Sequence, residues 1–103
     1  MLKIVPEPTF KAEVQITIPG QETPATVELT FNYMSKTKAL EFFGDMKGKT
    51  DVEALTTLIA GWDGFDVSFS KAALETFLDN YPAAAFEIIQ AFNRNLLESR
   101  IKN

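Results

Sequence analysis

The residues best placed for chemistry lie in Trp62-Asp63-Gly64-Phe65-Asp66, which holds the only tryptophan, one of the five glycines and an acidic pair. Asp63 and Asp66 could contribute to a calcium site, but an EF-hand loop needs several further oxygen ligands and a closing glutamate. The same two carboxylates could divide acid and base roles in glycoside hydrolysis, but that chemistry requires a substrate cleft and an acid of raised pKa. Neither context is written around them. Lys47-Gly48-Lys49 resembles a fragment of a phosphate loop, yet the Walker spacing of glycines, lysine and Ser/Thr is missing, so it reads as a solvated connection. The chain has no histidine and no cysteine. The commonest general base, the commonest transition-metal ligand, thiolate nucleophiles and disulfides go with them. The sequence therefore predicts no catalytic, cofactor-binding or metal-binding residues, and a protein that works by binding.

Composition narrows the partner. A net charge of −4, with ten Lys and Arg against fourteen Asp and Glu, disfavours a phosphate backbone. No nucleic-acid role is expected. No stretch reaches the roughly 20 apolar residues of a membrane span, and Met1-Leu2-Lys3-Ile4-Val5-Pro6 lacks a signal-peptide core. The expected location is the cytoplasm. At 103 residues, the length suits one domain with its own core. Nine phenylalanines against two tyrosines imply that most aromatic surface is buried or held against a partner, because phenylalanine has no polar handle.

The elements that must position these residues follow from periodicity. Pro6 and Pro8 favour an extended arm over residues 1–9. Phe10, Ala12, Val14, Ile16 and Ile18 alternate with polar residues, and so do Val27, Leu29, Phe31 and Tyr33. With Pro19-Gly20 and Pro24 between them, the two runs predict an antiparallel hairpin over 10–33. Both strands could be sheet edges, and exposed edges invite pairing with another chain. The hairpin is thus expected either to mediate homo-oligomerisation or simply to fold over its own helices. Ser35 is placed to cap a helix carrying Ala39, Leu40, Phe43 and Met46. Thr50-Asp51-Val52-Glu53 reads as a capping box opening a helix with Val52, Leu55, Leu58 and Ile59 on its buried face, ended by Gly61 in a left-handed cap. Trp62 then plugs the core just past that helix, with Asp63-Gly64 as a tight turn and Phe65 beside it; alternatively Trp62 is a contact residue.

Ser70 caps a third helix bearing Leu74, Phe77, Leu78 and Tyr81. Pro82 is suited to the first turn of a fourth, running to about Arg100. Ala85, Ile88, Ile89, Phe92 and Leu96 form the main stripe of that last helix, with Phe86, Leu97 and Ile101 off it. The apolar surface is broader than one packing contact needs, so this helix is either wedged between neighbours or offers a partner site. The fold class is α+β, a small antiparallel sheet followed by about four helices over 35–101.

One ordered set of features adds a specific reading. A helix ending in Ile59-Ala60-Gly61-Trp62, an acidic turn, Val67-Ser68-Phe69-Ser70 opening a helix with Leu74 and Leu78, then Asn80-Tyr81-Pro82 before a helix with Phe92, resembles the tail assembly chaperones of tailed bacteriophages and prophages. The likeness covers residues 58–97. It implies a non-enzymatic protein of the bacterial host cytoplasm that binds the helical tape-measure protein and keeps it soluble until tail-tube subunits polymerise around it. A structural tail or connector component is the alternative. Helix-in-groove recognition uses anchors at i, i+3, i+4 and i+7, and Phe86, Phe92, Leu96 and Leu97 are the expected client contacts.

Overall fold

The computed structural model describes residues 1–97. The alternating segments form β1 (Thr9–Ile16) and β2 (Ala25–Asn32), paired antiparallel from Thr9↔Asn32 to Ile16↔Ala25. Ala12, Val14 and Ile16 on β1 and Val27, Leu29 and Phe31 on β2 are buried on one face. Lys11, Glu13 and Gln15 remain exposed on the other. The connecting loop spans 17–24, with Gly20 at φ +83 and Gln21 N–H donating to Ile18 O at 3.0 Å; only a glycine adopts that φ without cost.

Four helices follow: α1 (Lys36–Gly44), α2 (Asp51–Leu58), α3 (Lys71–Asn80) and α4 (Ala84–Leu97), with a single 3-10 turn at Met46–Gly48. Three predicted caps are present. Ser35 Oγ accepts from Lys38 N–H at 3.2 Å and Ser70 Oγ from Ala73 N–H at 3.0 Å. At α2 the box closes in both directions, Glu53 N–H to Thr50 Oγ1 at 3.1 Å and Thr50 N–H to Glu53 Oε1 at 3.0 Å. Pro82 lies in the turn just ahead of α4, where Ala84 N–H donates to Tyr81 O at 2.9 Å. On α1, Ala39 and Phe42 are buried while Leu40 is exposed.

The expected end of α2 is corrected. The helix stops at Leu58, Ile59 turns extended at φ −104 and ψ 126, and Ile59–Asp63 forms a third strand, β3. Gly61 has no positive φ and caps nothing; it pairs with Thr30. The physical reason is that β-branched and aromatic residues fit a pleated surface beside an existing strand, and β2 offers one. Register shifts between Thr30 and Phe31, so that Phe31 meets Ile59. Sheet order is β1-β2-β3. Hence β2 is central, and of the two hairpin strands only β1 is an edge.

α4 packs across β1, and α2 packs against α3, α4 and the sheet. Phe92 is the hub between layers. Its ring centroid lies 5.4 Å from Phe31, edge to face, 5.8 Å from Phe10 and 6.2 Å from Phe43.

Candidate partner surfaces

The main stripe of α4 is spent on the core. Ala84, Ile88, Ala91 and Phe92 are buried, and Ala85, Ile89 and Leu96 are half-buried against them. Phe92 has no exposed surface, so it cannot touch a partner while the fold is intact. Its assignment as a client contact is corrected for that reason. The sequence held the signal: Phe92 sits four residues after Ile88 on the stripe that most needs covering.

Phe86 and Leu97 behave differently. They are 64% and 69% exposed. Phe86 lies two positions before Ile88, about 200° round the helix, and Leu97 falls on the same outer side as Phe86, three turns on and about 16 Å along the axis. Gln90 and Asn93 lie between them, giving the spacing i, i+4, i+7, i+11. The other eight phenylalanines are all buried or half-buried; Phe86 alone faces water. Leu96 points partly inward and contributes only its rim. Ile101 lies outside the described residues.

The second surface surrounds Trp62. β3 carries the indole, which is half-buried and stacks on Phe65 at 3.8 Å, with Phe69 at 5.1 Å and Phe77 at 5.8 Å edge to face. Its Nε1–H donates to Val67 O at 2.9 Å, so the loop after β3 folds back over the ring. Gly64 makes this turn at φ +94, with its N–H bonded to Asp63 Oδ1 at 3.1 Å. Tyr81 continues the aromatic row, 5.3 Å from Phe77. Between this row and the loop end of the hairpin runs an open groove of about 710 Å3, lined by Ile18, Val27, Trp62, Phe65, Val67 and Tyr81 among others. Trp62 is therefore wall as much as plug. Asp63 and Asp66 are both exposed. Pro82, also exposed, stands where the chain leaves the groove for α4. No signal in the sequence marked the groove, since its two sides come from segments more than thirty residues apart.

The lysine loop is accounted for by packing: Lys49 Nζ lies 5.8 Å from the Phe42 ring centroid, within cation–π range. Among the described residues no helix is long and apolar enough to cross a membrane.

A family model described as phage tail assembly chaperone matches residues 1–103, the whole chain. No curated protein and no solved structure is significantly similar to it.

Proposed function

The chain belongs to the phage tail assembly chaperone family, and from that premise we propose that it binds the tape-measure protein through the outer face of α4. In this reading it holds that client soluble, without catalysis, in the bacterial cytoplasm until tail-tube protein takes over. The observation that carries the reading is the solitary exposed phenylalanine, Phe86, aligned with exposed Leu97 on one side of a helix whose opposite side is fully engaged in the core.

A helical client lying along α4 would meet an apolar residue at each end of the stripe and two amides in the middle. Apolar ends supply burial, while Gln90 and Asn93 would fix register, as a single polar residue does in a coiled-coil seam. An aromatic anchor is the usual dominant contact in such an interface. A net charge of −4 favours solubility in a holding protein whose apolar residues stay open.

The test is binding to a purified tape-measure fragment. Phe86→Asp and Leu97→Asp should each weaken binding by about 30-fold or more, the loss expected of a hot-spot residue near 2 kcal/mol. Trp62 emission should stay unchanged when client is added, because the groove is not used. Undiminished binding by both variants, or a client-dependent Trp62 shift, would move the site to the groove. Mass spectrometry of finished particles separates this role from that of a structural tail component, since a chaperone leaves no copies behind.

A further inference from the structure

We propose that the free edge of β1 is a self-pairing edge, and that two copies join antiparallel through it to make one six-stranded sheet about a two-fold axis at Ala12. The inference stands on the sheet alone and does not depend on which surface holds the client.

The hydrogen-bond phase of the edge is fixed. Tyr33 N–H donates to Pro8 O at 2.9 Å, in step with the pairing that runs from Thr9↔Asn32 to Ile16↔Ala25. In an antiparallel ladder bonded and non-bonded pairs alternate. Even-numbered residues of β1 therefore bond to β2, and Thr9, Lys11, Glu13 and Gln15 turn their N–H and C=O groups outward. The next outward N–H, that of Thr17, is already occupied by Glu87 of α4, at 3.0 Å to Oε1 and 3.3 Å to Oε2. The edge is closed at that end and open over the four residues before it.

Charge then selects both the occupant and the register. Glu13 lies directly opposite Glu28 of β2, in a non-bonded pair where side chains are closest. Like charges so placed destabilise a sheet. Among the described residues the ion pairs are Lys3–Glu7 and Lys11–Glu28, the latter at 4.0 Å, and neither engages Glu13. A second β1 aligned about Ala12 sets Lys11 of each copy against Glu13 of the other, in two symmetric pairs. It also sets Thr9 against Gln15, and Phe10 against Val14 on the apolar face. The odd-numbered pairs thus bring outward groups against outward groups, and the even-numbered residues keep their bonds to β2. A slip by two residues one way aligns Lys11 with Lys11; a slip the other way aligns Glu13 with Glu13. Of these three registers, only the one centred on Ala12 is attractive, and it supplies the cation that Glu13 lacks. The two-fold edge is isologous, the commonest way for like subunits to close.

The test is sedimentation equilibrium on the full chain with charge reversals. Wild type should dimerise. Lys11→Glu and Glu13→Lys should each weaken the dimer about tenfold or more, since two attractive pairs become repulsive. The chain carrying both reversals should recover most of the wild-type affinity. Glu13→Lys makes the contact with Glu28 attractive within the monomer, so it keeps its fold and carries the test by itself if Lys11→Glu melts early. A wild-type monomer at the highest attainable concentration, a dimer indifferent to the single reversals, or no recovery in the double variant overturns the proposal.

Discussion

Replacing Phe92 by alanine separates core from contact on α4. The side chain is fully buried and its ring meets Phe31, Phe10 and Phe43 at centroid distances of 5.4, 5.8 and 6.2 Å. Truncating a buried phenylalanine costs about 3–5 kcal/mol through lost transfer energy and the cavity left behind. Three aromatic neighbours on different elements cannot all collapse into that space, so the upper half of the range is expected. A domain of this length has only about 5–15 kcal/mol of stability to lose. The melting temperature should fall by about 16 °C or more, at roughly 4 °C or more per kcal/mol. Urea unfolding, followed by far-UV circular dichroism, reads the change directly. Phe86→Ala is the control and should stay within about 0.5 kcal/mol of wild type, as surface substitutions do. A Phe92→Ala chain that loses less than about 1 kcal/mol while losing its client would refute this reasoning and return Phe92 to the surface.

Other substitutions probe the elements one at a time. Thr50→Ala removes the Oγ1 arm of the capping box on α2, leaving the backbone N–H at position 50 to Glu53 Oε1, and should cost about 1 kcal/mol in urea unfolding; no change would mean that the first turn is held without the Oγ1 bond. Gly64→Ala must adopt φ +94 with its new Cβ 3.5 Å from Val27 Cα, and the left-handed backbone should cost about 1–2 kcal/mol in thermal melts. Trp62→Phe keeps the aromatic row but deletes the bond to Val67 O. A loss of about 1 kcal/mol is expected, with faster proteolysis in the loop 64–67, and equal cleavage rates would argue that this loop is held by Phe65 instead.

The parts legible in sequence were those governed by local rules. A period of two over Phe10–Ile18 and Val27–Tyr33 specified the hairpin, because alternate residues must choose opposite faces of a strand. Ser35, Thr50 and Ser70 announced their helices, because a cap satisfies backbone donors within its own first turn. β3 was hidden. Five residues, Ile59 to Asp63, are too few for a period to show, and their strand conformation comes from pairing with Thr30 and Leu29 far earlier in the chain. Missing that strand made β2 look like an edge and gave Gly61 a cap it does not form. On α4 the periodicity placed Phe86 and Leu97 off the main stripe and Phe92 on it. Phe92 therefore belongs to the core, as its burial shows.

The open β1 edge and the outer face of α4 point in different directions, and this bears on how the protein could serve a long client. Glu87 reaches Thr17 at the edge, whereas Phe86, its immediate neighbour, is turned about 100° further round the helix and away from Ile88. Pairing through β1 would therefore leave both copies of the Phe86–Leu97 stripe uncovered. Two stripes held on one rigid six-stranded platform could engage successive apolar segments of the same tape-measure helix. Once the first is bound, the second faces its segment at an effective concentration set by the platform, not by the bulk. Each stripe is small, with two apolar residues and two amides, and by itself suits weak and reversible binding. Joined in pairs, such stripes would hold a client firmly while the dimer lasts and release it readily once the pair is broken. Under the proposed function, in which the client passes to tail-tube protein, that combination serves the handover.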